Sequence, residues 1–205
     1  MQPTILRPQQ INDVFSSIIS THIEPERIQL FIREAEYIHV KPRLRDAMYL
    51  DIINTINNTS PENYTTEFKT LLNGGVFETD KRNNIRIIDT FDDTFDYTFR
   101  FEQEDCSPTA RIFHGLLLPI AYYTYSKLVM LNDVNITRFG SSFKDDENST
   151  RIGIKEKLLQ EKNKLSVADM MLDDCILFIS SNCDKFPKFK KAGKPRSRMP
   201  FTVIH

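Results

Sequence analysis

A run of apolar residues from Gly115 to Leu131 constrains the fold of this 205-residue chain more than any other segment. The run is apolar on nearly every side of a helix, yet it contains Pro119 and three tyrosines. It is shorter and more polar than the roughly 18 or more consecutive apolar residues of a membrane span. A helix of this kind needs neighbours on all sides, so the run predicts the central helix of a helical bundle. Pro119 predicts a kink if that helix begins before Phe113.

The N-terminal part of the chain predicts further amphipathic helices around this one. Glu24-Pro25 opens the first, because proline suits the first turn of a helix, and Pro42 ends or kinks it. A second stretch runs from Leu44 to Ile56 with apolar residues at helical spacing. Ser60-Pro61 starts a third helix, and Asn73-Gly74-Gly75 stops it.

The pattern then changes to alternating β-branched and aromatic residues between Val76 and Phe101. Two such runs separated by a turn at Thr90–Thr94 predict a β-hairpin, or flap, inserted between helices. Ser107-Pro108 predicts the start of the central helix. The region Thr150–Cys183 predicts a long helical stretch that a capping pattern at Ser166 divides in two. The expected fold class is therefore mainly α: a helical bundle with a small inserted β-hairpin and an extended C-terminal arm.

The charges divide the chain into an acidic body and a basic arm. Residues 1–184 contain 20 basic and 28 acidic residues, whereas residues 185–205 contain seven basic residues and no acidic one. Such an arm suits either an acidic neighbouring subunit or the phosphates of a nucleic acid. The apolar end of the arm favours docking on a protein. The predicted partner-contact residues are Lys185, Phe186, Phe189, Lys190, Lys191, Arg196, Arg198, Phe201 and Ile204.

No residue pattern in the sequence predicts catalysis. The four histidines are scattered without metal-ligand spacing, the three cysteines form no CxxC pair, and no glycine-rich phosphate loop is present. The aspartates between Asp89 and Asp96 lack the spacing of a calcium loop, and Asp173-Asp174 fits a charged helix face. We therefore expect a protein that is not an enzyme and has no catalytic residues, no metal and no cofactor.

Four segments, in this order, resemble head–tail connector (adaptor) proteins of tailed bacteriophages, including those of Bacteroidota phages and the crAss-like phages. Ile32–Tyr49 resembles their amphipathic helix, proline and second helix, and Leu71–Gly75 resembles the helix stop that follows. The third, Gly115-Leu116 with Ala121–Tyr125, resembles the central helix, and the fourth, Asn135–Gly140, resembles its exit. From the first to the last, these segments span residues 32–140, about half of the chain.

Taken with the charge and β patterns above, the resemblance predicts a helical connector domain over residues 1–184, with the β insertion at about 76–101; the charges alone predict the basic arm over residues 185–205. The resemblance implies a homo-oligomeric, twelvefold ring beneath the phage portal protein, in the virion at the head–tail junction, after synthesis in the bacterial host cytoplasm. The ring would bind the portal and the next ring or tail component. Genomic DNA would pass through its channel without sequence-specific binding, and no membrane would be involved. The alternative is a nucleic-acid-binding module that uses the basic arm.

Two parts of the sequence depart from the connector pattern. The segment Val76–Glu104 is longer than the one that joins the glycine stop to the central helix in the family, and the arm after Phe186 has no counterpart. Both differences concern which ring the chain would form and what it would touch, more than they concern the helical core.

Overall fold

A computed structural model describes residues 3–15, 24–79, 85–91, 110–131, 134–137, 140–143 and 154–189, and the structural statements below concern these residues. They form a mainly helical fold with a small antiparallel sheet, which confirms the predicted fold class. The α-helices are α1 (Pro8–Val14), α2 (Pro25–Ala35), α3 (Lys41–Asn58), α4 (Thr66–Asn73), α5 (Leu117–Leu131) and α6 (Ile154–Ser181). The strands are β1 (Gly75–Thr79), β2 (Ile85–Thr90), β3 (Ala110–Phe113), β4 (Val134–Thr137) and β5 (Gly140–Phe143).

Helix α5 is the centre of the fold, as its all-round apolar sequence predicts. Helices α6 and α2 make the most extensive contacts with it, and α1 and α4 also touch it. Leu118, Ile120, Ala121 and even Tyr123 are fully buried. Burial on several faces explains why the helix shows no single apolar stripe.

The predicted start of the central helix at Ser107-Pro108 is wrong. Ala110–Phe113 is strand β3, and the helix begins only at Leu117. The backbone N–H of Leu116 donates to the carbonyl oxygens of Leu71, at 2.8 Å, and Leu72, at 3.1 Å, so α4 fixes the point where the helix can begin. Pro119 therefore lies in the first turn, where a helix has no use for the missing N–H, and it does not interrupt the helix.

The sheet has the strand order β2-β1-β3, with both pairs antiparallel. The first predicted run, Asn84–Asp89, lies largely in β2, which continues to Thr90 in the predicted turn, and its partner is β1, which begins directly at Gly75. Strand β3 pairs with the other edge of β1. The second predicted strand, Phe95–Phe101, lies outside the described residues. Strands β4 and β5 form a separate antiparallel pair after α5.

The expected disturbance at Pro42 takes an unexpected form. A π-helical turn, Glu36–Val40, continues α2, and Lys41 remains helical although it precedes proline. The break in the backbone lies three residues after the proline, at Arg45, with φ 68° and ψ 159°. The wider π turn gives room to the proline ring, which would otherwise clash with the carbonyl four residues earlier.

Two glycines hold the end of α4 against the start of α5. Gly74 has φ 93° and Gly115 has φ 71°, a region that residues with a Cβ rarely adopt. A Cβ atom on Gly115 would lie 2.4 Å from the backbone nitrogen of Gly74. The predicted glycine stop is thus confirmed. Helix α4 itself begins at Thr66 and not at Ser60, because a 3₁₀ turn at Pro61–Asn63 intervenes.

Helix α6 is one unbroken helix of 28 residues, so the predicted division at Ser166 is wrong. Ser166 is exposed, whereas the opposite face carries the fully buried Ala168, Leu172, Cys175 and Ile179. Packing of this continuous apolar face against α5 outweighs the local capping pattern.

Candidate docking surface

The C-terminal arm begins with compact turns that are bonded to the end of α6. The N–H groups of Lys185 and Phe186 both donate to the carbonyl oxygen of Asn182, at 2.9 and 3.1 Å, and the N–H of Phe189 donates to the carbonyl oxygen of Phe186. The predicted extended arm therefore cannot begin at residue 185. Residues 185–189 belong to the body, and residues 190–205 lie outside the described part of the chain.

Two of the predicted partner contacts, Phe186 and Phe189, are buried in the core of their own chain. The ring of Phe186 lies 6.2 Å from that of Phe178, which stacks at 4.8 Å on Phe113 of β3. These two residues therefore anchor the arm to the body and offer no surface to a partner.

The two lysines of this segment pair with acids of the body. Lys185 lies 3.4 Å from Glu67 of α4, and Lys188 lies 2.5 Å from Asp51 of α3. Such half-exposed pairs contribute little to stability, but they show that the acidic body binds the start of the basic segment. The other predicted contacts lie outside the described residues: Lys190, Lys191, Arg196, Arg198, Phe201 and Ile204.

A buried carboxylate, Glu36, ties the N-terminal segment to the joint between α2 and α3. It accepts hydrogen bonds from the N–H groups of Ile5, at 2.8 Å, and Leu6, at 3.0 Å, and from the hydroxyl of Tyr49, at 2.8 Å. Burial raises the pKa of the Glu36 carboxyl to about 7 despite these donors. The sequence contains one sign of this site: Glu36 follows the buried Ile32 by four residues, in line with the apolar stripe of α2, where an apolar residue would be expected.

A second polar network joins α5, α6 and the π turn. The hydroxyl of Tyr123 donates to Asp169, at 2.6 Å, and Arg43 pairs with both Asp169 and Asp173. The ring of His39 stacks on that of Tyr123, with 4.3 Å between centroids. Burial and the hydrogen bond to Asp169 raise the pKa of Tyr123, and burial lowers the pKa of His39. The network therefore holds a neutral tyrosine between three elements, which is a structural link.

An open groove of about 670 Å³ lies beside the N-terminal segment. Its lining combines the charged Arg7, Glu62 and Lys69 with apolar residues such as Ile56 and Leu72.

Within the described residues, no three His, Cys, Asp or Glu side chains gather as metal ligands. No helix in that part of the chain has the length and apolar character needed to cross a membrane.

Large apolar side chains are exposed mainly on the two helical elements that flank α5. Leu30, Tyr37 and Ile38 lie on α2 and its π turn. A second set, on α6, consists of Leu158, Leu159, Met170 and Leu177. Single exposed apolar side chains are ordinary on protein surfaces, and a contiguous patch of them marks a surface for protein contacts.

Comparison with known proteins places most of the chain in one family. Residues 40–199 match the sequence profile of a family described as a family of unknown function, DUF6712. No curated protein and no solved structure matches the chain.

Proposed function

We propose a structural function for this chain, which belongs to the DUF6712 family of unknown function: it is a subunit of the ring that joins the head and tail of a bacteriophage. The ring docks on the portal protein and extends the DNA channel toward the next ring or tail component. The chain acts by recognition and carries out no catalysis.

The observation that supports this function best is the proximity of the segments that resemble connector proteins. His39, in the first segment, stacks on Tyr123, in the third. Leu116, also in the third, is hydrogen-bonded to Leu71 in the second. The first three segments therefore pack together around α5, as expected if a shared core accounts for the resemblance.

The charge distribution also fits a ring. The body through residue 184 has 20 basic and 28 acidic residues, and Lys185 and Lys188 already pair with its acids. The remaining basic residues of the arm would bind the acidic body of a neighbouring subunit in the same way. An acidic channel wall would let DNA pass without adhering.

Cryo-electron microscopy of the virions that contain this protein tests the proposal. The expected result is a twelvefold ring of this chain at the head–tail junction, in contact with the portal. Finding the chain only in the capsid shell, or only in the cytosol of infected cells, would contradict it.

The alternative function, nucleic-acid binding by the basic arm, makes a different prediction. It requires a DNA affinity that falls steeply with salt and that depends on residues 190–205. The matched comparison is the full chain against a chain that ends at Phe189, because the shorter chain keeps the buried Phe186 and Phe189. Strong, arm-dependent and salt-sensitive binding would favour the alternative over the ring.

A further inference from the structure

The face of α6 that points away from the body carries a regular strip of exposed residues. They are Leu159, Asn163, Ser166, Met170, Asp173 and Leu177. The three apolar members are 59%, 61% and 44% exposed. Successive members are four or three residues apart in strict alternation, which is the spacing of residues along a coiled-coil contact.

The body packs mainly against the opposite face of this helix, and Asp173, at the edge of the strip, pairs with Arg43 of α3. Ala168, at the middle of the strip's length but on the other side of the helix, is fully buried, as are Leu172, Cys175 and Ile179. A helix of 28 residues is about 42 Å long. Among the described residues, therefore, this long helix packs on the body with one face and exposes the strip on the opposite face.

The strip is complementary to itself when two copies run antiparallel. With a two-fold axis at the level of residue 168, Leu159 faces Leu177 of the second copy, and Ser166 faces Met170. Asn163 then faces Asp173, and a leucine meets a leucine at each end of the strip, while the small Ser166 lies against Met170. Parallel copies in register would instead place the two acidic C-terminal halves level with each other, and like charges repel.

The charges along α6 favour the same orientation. Its N-terminal half, residues 154–167, contains four lysines and two glutamates, whereas its C-terminal half, residues 168–181, contains three aspartates, two of which pair with Arg43 of α3. No basic residue occurs between residues 165 and 184. In the antiparallel arrangement, the half that carries the lysines in each copy lies level with the acidic half of the other.

We infer that two copies of this chain associate through the outward strip of α6, antiparallel, about a two-fold axis at the level of residue 168. The contact is isologous, so it closes on itself and does not extend into a ring. The pair is thus a form of the free protein, separate from the proposed ring. The proposal of the pair and the proposal of the ring can each be true if the other is false.

Sedimentation equilibrium of the full chain tests this association. The expected species has twice the mass of the 24.0 kDa chain and dissociates on dilution. Leu177→Asp should shift the equilibrium to monomer. Leu50→Asp, which changes a leucine of similar exposure (54%) on α3, should leave the pair intact. Circular dichroism of both variants confirms that they are folded.

Three results would overturn the inference. The first is a monomer at every concentration, and the second is a dimer that Leu177→Asp leaves intact. The third is a full-length monomer that pairs only when the chain ends at Phe189, because residues 190–205 of the same chain would then be what covers the strip.

Cross-linking tests the orientation independently. In a background with Cys106→Ser and Cys183→Ser, which keeps only the buried Cys175 of the native thiols, Ser166→Cys and Met170→Cys are prepared separately. A mixture of the two variants should form disulfide-linked dimers faster than either variant alone, because residue 166 faces residue 170 of the second copy. Faster linkage in the unmixed samples would contradict the antiparallel arrangement.

Discussion

At the residue scale, Glu36 is the clearest case of a polar group whose surroundings determine its properties. Its carboxyl is fully buried and receives three hydrogen bonds that join the N-terminal segment to Tyr49 of α3. Burial raises its pKa from the ordinary 4.5 to about 7. The folded chain therefore binds this proton more tightly than the unfolded chain does.

This shift makes stability depend on pH with a defined sign. Because the pKa is higher in the folded state, protonated Glu36 stabilises the fold. This stabilisation is fully present below pH 4.5 and is lost as the pH rises through about 7. The loss is about 3 kcal/mol in the free energy of unfolding. Urea denaturation across this pH range, compared with Glu36→Gln, isolates the effect, since glutamine keeps an acceptor for Ile5 and Leu6 but does not titrate.

The matched control for this experiment is Glu62→Gln, which changes an exposed glutamate. The control should follow the pH dependence of the unaltered chain, whereas Glu36→Gln should flatten it between pH 4.5 and about 7. The same slope in all three proteins would show that Glu36 does not titrate as its burial requires.

Gly115 is the other residue on which the core arrangement depends. Its φ is 71°, and a methyl group at this position would place its carbon 2.4 Å from the backbone nitrogen of Gly74, so there is no room for a side chain. Gly115→Ala should therefore lower the free energy of unfolding by about 3 kcal/mol, through backbone strain and overpacking. Chemical denaturation measures the change. An unaltered midpoint would contradict the close contact of Gly74 with Gly115.

At the element scale, the segment after α6 divides into a packed part and a basic part. Phe186 and Phe189 are buried, so a chain ending at Asp184 should lose about 4 kcal/mol of stability from the two missing rings. A chain ending at Phe189 should keep nearly all of it. Thermal and urea denaturation of the two truncated chains provide the comparison. Equal stability of the two would show that these phenylalanines contribute nothing to the core.

The sequence predicts some elements better than others, because some depend on local properties of the chain and others on contacts between distant residues. The central position of α5 and the stop at Gly74 follow from side-chain polarity and backbone freedom, which are local properties. The start of α5 does not, because the bonds from Leu116 to α4 and the pairing of β3 with β1 are made between distant parts of the chain. The unbroken α6 likewise depends on packing against α5, which the capping pattern at Ser166 does not reveal.

The candidate site shows the same limit. The excess of basic residues after residue 184 is visible in the sequence, and so is the exception that Glu36 makes to an apolar stripe. That Phe186 and Phe189 face inward depends on their contact with the aromatic cluster of Phe113 and Phe178. Nothing in the spacing of the arm residues distinguishes a phenylalanine that packs on its own body from one that packs on a partner.

At the scale of the whole molecule, the proposed ring requires that an acidic body and a basic arm meet in different copies. The fold supplies a packed body around α5, and the pairs Lys185–Glu67 and Lys188–Asp51 show how basic residues bind its surface. Coupling of arm binding to contact with the portal would keep the free chain from forming rings prematurely.

The mass of the purified chain, measured alone and with the portal ring, tests the proposed function most directly. Alone, the chain should be a monomer or the pair inferred from α6, well below the mass of a ring. With the portal, twelve copies should join each portal ring, and a chain ending at Phe189 should join less tightly. A chain that never binds the portal, or that forms the same oligomer whether or not the portal is present, would contradict the connector function.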